Sequence, residues 1–176
     1  MLTAIIDYSS GNLHSARKAF EKISASNNLG SVVVTSNPDV ISSADRLVLP
    51  GDGAFPACKT ELLSSEAYDA MVYAAVEKGR PFLGICVGMQ LMATKGYEYE
   101  ETDGLGWIDG KVCKINLTDK NLKIPHMGWN TLNIENDHPI LKGILNGDHV
   151  YFVHSFQMVV RNLKQRLAYT DYGTDI

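Results

Sequence analysis

The first half of the chain alternates short apolar runs with segments of helical period. Leu2 to Ile6 (LTAII) is an apolar run ending at Asp7 and predicts a strand. From Asn12 to Ile23, Leu13, Ala16, Phe20 and Ile23 fall at helical spacing. Ser31 to Thr35 (SVVVT) is β-branched and short, which predicts a buried strand, and Arg46 to Leu49 (RLVL) predicts another, stopped by Pro50-Gly51. Glu66 to Lys78 reads as a helix ending at Gly79. Pro81 to Ile85 (PFLGI) reads as a strand, and Val87 to Thr94 as the helix after it. Strands alternating with helices at this spacing predict a parallel sheet with helices on both faces.

The pattern then changes. Trp107 to Leu117, Leu122 to Ile134, Val150 to Val160 and Arg166 to Tyr172 are rich in β-branched and aromatic residues. Turn-like pieces separate them: Thr118-Asp119-Lys120, Asn136-Asp137-His138-Pro139 and Asn146-Gly147-Asp148. This half predicts antiparallel hairpins added to the parallel sheet. With no repeat or linker in 176 residues, the expectation is one α/β domain over residues 1–176.

Charge narrows the choice of partner. The formal net charge is −4 and there is no Lys/Arg stripe, which argues against nucleic acid. The N-terminus lacks a signal-peptide pattern, and no apolar run approaches the roughly 20 residues of a membrane span. Cys58, Cys86 and Cys113 are too few and too scattered for a disulfide framework or a zinc site. A cytoplasmic protein with no metal is expected.

The chemistry sits in Gly84-Ile85-Cys86-Val87-Gly88, between a predicted strand and a predicted helix. A G-x-nucleophile-x-G pattern there lets the chain turn sharply while two glycines keep side chains out of neighbouring backbone. The cysteine then lies at a helix N-terminus, where dipole and free N–H groups favour thiolate. The Val87 N–H is a candidate oxyanion donor. The plain alternative is a buried cysteine between packing glycines; the strand–turn–helix context favours the nucleophile. A second loop, Pro50-Gly51-Asp52-Gly53-Ala54-Phe55, follows RLVL and belongs at the carboxyl edge of such a sheet, where its amides would complete an oxyanion hole.

Five segments in order, IIDYSSGNLHS, LPGDGAFP, GRPFLGICVGMQLM, IPHMGWN and YFVHSF, make the chain resemble the class I glutamine amidotransferases. Within them it is similar to the glutaminase subunits of imidazole glycerol phosphate synthase. The resemblance implies a flavodoxin-like sheet, no cofactor, and a Cys86 that attacks the glutamine side-chain amide to form a glutamyl thioester. Ammonia would pass to a (β/α)8-barrel cyclase subunit of histidine biosynthesis, which makes imidazole glycerol phosphate and an aminoimidazole carboxamide ribotide. It implies an oxyanion loop at Gly51, Asp52 and Gly53, although the family commonly has an aliphatic residue where Asp52 stands. Gln90, His154 and Ser155 match substrate-side positions. Gly11, Asn12, His126, Met127, Trp129, Asn130 and Tyr151 match the cyclase-facing segments. Strand alternation divides the last of these, with Tyr151, Val153 and Ser155 on one face and Phe152, His154 and Phe156 on the other.

The family's general base is a histidine in a His-Pro-Glu segment. None of His14, His126, His138, His149 and His154 is followed by Pro-Glu. The expectation is therefore a domain truncated at its C-terminus, with the base assigned to no residue here. Two other readings stand beside the enzyme: a non-catalytic partner-binding subunit, and a different cysteine enzyme such as another amidotransferase or a DJ-1-like hydrolase.

Overall fold

The computed structural model describes residues 1–119 and 121–176. Lys120, part of one expected turn, lies outside the described residues. The chain divides into two compact units, Met1–Met92 and Ala93–Ile176.

The first unit is the α/β part. Its strands β1 (Leu2–Ile6), β2 (Ser31–Thr35), β3 (Arg46–Gly51) and β4 (Phe82–Cys86) form one parallel sheet in the order β2-β1-β3-β4. The two central strands carry the core: Ala4, Ile5, Ile6, Leu47, Val48 and Leu49 are buried. SVVVT is an edge strand and only half-buried, short of the buried strand expected from its composition. Strand order reverses direction beside β1, so the loops after β1 and β3 meet at the switch point where α/β sheets build sites.

Helix α1 (Leu13–Asn27) starts at Asn12, whose Oδ1 accepts from Ser15 N–H at 3.0 Å. Leu13, Ala16 and Phe20 are half-buried as the spacing predicts. Ile23 is exposed instead, and Ser24 takes the inward place by donating to the Gly30 carbonyl at 2.6 Å. Two helices that the apolar pattern did not indicate, α2 (Pro38–Ser43) and α3 (Phe55–Ser64), both open with a proline in their first turn. α4 (Ala67–Val72) runs on through a wider turn, Tyr73–Glu77, to the expected stop near Gly79.

The helix expected over residues 87–94 is a single turn, α5 (Val87–Gln90). From Ala93 the chain is strand β5 (Ala93–Glu98), which turns back as β6 (Glu100–Asp103). Ala93 is fully buried and Gly96 buried, three residues apart rather than two because the strand register shifts between Ala93 and Lys95.

The second unit is built mainly of strands, with short 3-10 turns at Pro139–Leu141 and Leu163–Gln165. β5, β6 and β7 (Ile108–Lys114) share a sheet with β11 (Phe156–Val160) in the order β11-β7-β5-β6, where β5 and β7 are parallel and the other pairs antiparallel. β8 (His126–Thr131) pairs antiparallel with β10 (His149–His154), and β9 (Asn133–Ile134) with β12 (Ala168–Tyr169). The long segment expected over 150–160 thus breaks at Ser155, with its two halves in different sheets.

Candidate active site

Cys86 ends β4, pairs in register with Gly51 at the end of β3, and is solvent-exposed. Its backbone has φ 53° and ψ −119°, a conformation that non-glycine residues avoid and that costs about 1–3 kcal/mol. The flanking glycines explain how the chain holds it there. A Cβ on Gly84 would strike the Met89 backbone, and one on Gly88 the Leu49 carbonyl. A Cβ on Gly51 would lie 2.5 Å from Gly88 N and 2.8 Å from the Tyr8 hydroxyl. Three glycines therefore let β3, β4 and the first turn of α5 approach as backbone against backbone. Val87 and Gly88 are buried directly after the exposed thiol.

α5 has only four residues, so few peptide dipoles are aligned behind Cys86. Gln90, at the end of that turn, is buried, with 7% of its surface exposed.

The β3 loop faces the β1 loop. Gly11 has φ 91°, and a Cβ there would lie 2.8 Å from Pro50 Cβ, so this glycine lets the two loops close. Ser10 Oγ donates to the Asp52 carbonyl at 2.9 Å and accepts from Asp52 N–H at 3.1 Å. Buried Cys58 lies 3.3 Å from both Ser10 Oγ and the Asp52 carbonyl. Burial pushes the Cys58 thiol up from its ordinary value and the Tyr8 phenol well above its own. Cys58 is thus a packed, protonated thiol, buried where Cys86 is exposed. The Asp52 side chain is exposed, which keeps its carboxylate in water. The Asp52 N–H is engaged with Ser10, so in this conformation it is not an open oxyanion donor. Tyr8 and Ser10 lie in the IIDYSSGNLHS segment, where residue type alone does not distinguish them from other loop residues.

In the second unit, β8 and β10 sort the remaining candidates by face. Met127, Trp129, Tyr151 and Val153 project outward and are 60%, 71%, 53% and 59% exposed. Trp129 and Tyr151 are cross-strand partners in edge-to-face contact, with ring centroids 5.7 Å apart. His126 points the other way and is 2% exposed, so its part in any interface is indirect. It stacks between Phe152 and Tyr172, at centroid distances of 4.7 and 4.0 Å. His154 is bonded at both ring nitrogens, to His126 and to the Phe156 carbonyl, which is the pattern of a satisfied structural histidine. Asn130 belongs to the same inner face.

The class-I glutamine amidotransferase family matches residues 4–175. Among curated proteins, the imidazole glycerol phosphate synthase subunit HisH of Ruegeria pomeroyi is 64% identical over 174 residues, covering 98% of this chain and 82% of that protein. The HisH subunit of Cereibacter sphaeroides is 53% identical over 177 residues, covering 100% and 84%. Solved structures share the fold at low identity. A glutamine amidotransferase from Thermotoga maritima superposes with a TM-score of 0.64 at 16% identity, over 97% of this chain and 67% of that one. Another solved glutamine amidotransferase gives 0.65 at 18%, over 94% and 79%. The chain belongs to the class I glutamine amidotransferase family.

Proposed function

We propose that this chain is the glutaminase subunit of an imidazole glycerol phosphate synthase, with Cys86 as its nucleophile. The observation that carries the reading is the backbone of Cys86, strained and exposed at the end of β4 and packed from behind by three glycines. Strain of this kind persists where the surrounding structure enforces it, and a nucleophile held clear of its own helix is what nucleophilic attack requires.

Cys86 Sγ attacks the side-chain amide carbon of glutamine. The tetrahedral oxyanion is met by backbone N–H groups, Val87 first and Gly51 and Gly53 of the β3 loop second, the Asp52 N–H joining them only when it leaves Ser10. Collapse expels ammonia and leaves a glutamyl thioester, which water hydrolyses to glutamate. Each proton transfer needs a general base, and that role is assigned to none of the histidines here. Gln90 and Ser155 are proposed to hold glutamine, Ser155 at the backbone groups of the substrate, with His154 beside them.

The ammonia is delivered to a cyclase subunit of (β/α)8-barrel form, which carries out the lyase step and ring closure in histidine biosynthesis. The outward face of β8 and β10 supports docking: four large side chains stand exposed side by side, and Trp and Met are residues that interfaces favour. Gly11 and Asn12 are proposed to border the same partner. Among the described residues no helix is long and apolar enough to cross a membrane. A cytoplasmic heterodimer is the proposed form.

The test is substitution of the nucleophile in the complex. Cys86→Ala is expected to abolish glutamine-dependent turnover while ammonia-dependent cyclisation by the partner continues. Loss of both activities in an intact complex, or survival of the first, overturns the assignment.

A further inference from the structure

The inner face of β8 and β10 carries a chain of polar side chains that the proposed chemistry leaves unused. It starts at Asn130, whose Oδ1 accepts from Thr131 N–H at 2.8 Å and whose Nδ2 donates to the Asp171 carbonyl at 2.9 Å. These two bonds fix the amide, because turning it would set oxygen against oxygen and N–H against N–H. Nδ2 also lies 3.4 Å from His126 Nε2, so that nitrogen must present its lone pair. His126 therefore carries its proton on Nδ1 and donates to His154 Nε2 at 3.0 Å. His154 carries its own proton on Nδ1 and donates to the Phe156 carbonyl at 2.9 Å. One assignment satisfies every contact: both rings neutral, both protonated on Nδ1.

The last bond spans Ser155, where the chain leaves β10 and enters β11 in another sheet. The Ser155 carbonyl is itself held by Ile115 N–H at 3.0 Å. We propose that His126 and His154 are positioning residues for glutamine: the tautomer-locked pair holds the corner at Ser155 and so the substrate contact made there. The proposal rests on the reading of Ser155 as a glutamine contact.

The chain of bonds has no place for another proton. On His154 Nε2 it would turn His126 round and set an N–H against the Asn130 amide; on His126 Nε2 it would do so directly. The groups around the pair offer a proton no compensation. Tyr172 faces His126 with its ring and spends its hydroxyl on the Lys123 carbonyl, at 3.0 Å. The Asp171 carboxylate accepts from Gly173 N–H, at 3.0 Å. Phe152 is apolar, and among the described residues no carboxylate is hydrogen-bonded to either ring. Burial, then the neighbouring His154, lowers the His126 pKa from its ordinary value, in the same direction.

The full-length protein in complex with its cyclase subunit provides the kinetic test. Loss of one such hydrogen bond predicts that His154→Leu raises KM for glutamine about five- to tenfold, with kcat within about twofold. His154→Asn, whose amide N–H stands where Nδ1 was, is expected to recover most of that KM. Wild-type KM is expected to rise only as the pH falls past the lowered His126 value, below the ordinary histidine range. Long-range proton–nitrogen NMR on the wild-type protein reads the tautomers directly and without substrate; both rings are expected neutral and Nδ1-protonated at neutral pH. An Nε2-protonated ring at either position overturns the proposal even if a variant fails to fold. So does an Asn variant no better than Leu, or a kcat that drops with KM unchanged. Absence of glutamine turnover by the wild-type complex would instead remove the glutaminase reading, and with it the substrate role of the pair, while the NMR result would still report the tautomer lock.

Discussion

Gly88→Ala isolates the packing that makes the elbow. The backbone of Gly88 needs no unusual φ, and alanine is favoured over glycine in a helix by about 1 kcal/mol. Conformation alone therefore predicts a gain in stability. The contacts predict the reverse. The new methyl would overlap the Leu49 carbonyl oxygen, with the Leu49 carbonyl carbon at 2.8 Å and the Pro50 carbonyl carbon at 3.2 Å. All three atoms are backbone of β3 and have no rotamer to yield. Overpacking of this kind costs about 1–3 kcal/mol, which cancels or exceeds the helix gain. A net loss of about 1–2 kcal/mol lowers Tm by about 2–8 °C in a chain of this size. The elbow relieves the overlap by moving Cys86, and a displacement near 1 Å lowers kcat/KM about a hundredfold. The assay is glutamate release with thermal unfolding measured alongside. Gly79→Ala is the control: Gly79 has φ 61° and open space around it, so alanine there costs about 1–2 kcal/mol through the backbone alone. It should lose comparable stability and keep its activity. If Gly88→Ala hydrolyses glutamine within about threefold of the parent, or loses no more activity than Gly79→Ala, the reasoning from close approach is wrong.

Three further outcomes follow from the same structure. Trp129→Ala together with Tyr151→Ala should weaken binding to the cyclase by about tenfold or more in calorimetric titration, yet leave Tm nearly unchanged, because both side chains already face solvent. His126 is held below its ordinary value, so the unfolded chain takes up a proton near pH 6.5 that the folded chain refuses; folding stability should fall as the pH drops below about 6.5, and His126→Phe should flatten that part of the denaturation profile. Arg166 is bonded to both oxygens of Glu135, at 2.6 and 3.0 Å, and holds its carboxyl below the usual range. That contribution is present above the unfolded carboxyl value and is lost as the pH falls through the lowered folded one, so Arg166→Gln should abolish a small acid-side loss of stability seen in the parent.

Much of the first unit is legible along the chain. LTAII, RLVL and PFLGI are apolar runs between polar turns, and they form β1, β3 and β4, because a strand in a parallel sheet is recognised by continuous hydrophobicity. The elbow is legible for a different reason: Gly84, Cys86 and Gly88 encode a steric requirement at fixed spacing, and the structure meets it through Met89 and Leu49 backbone. Helices α2 and α3 lack a clear apolar period, and their proline starts read as loops. The segment after Gln90 reads as helix because Val87, Leu91 and Met92 suit either period; pairing with β6 and β7 decides for strand.

The sites divide in the same way. Cys86 and its glycines follow from the sequence by itself, since local backbone geometry demands those residue types. The alternation along YFVHSF also follows from strand period, separating outward Tyr151 from inward Phe152 and His154. What only the tertiary structure decided is which partner each polar group found. Ser10 bridges Asp52 across 42 positions, and His154 meets His126 across 28. Such pairings depend on strand order and register, which bring distant residues within hydrogen-bond reach and which residue order does not display.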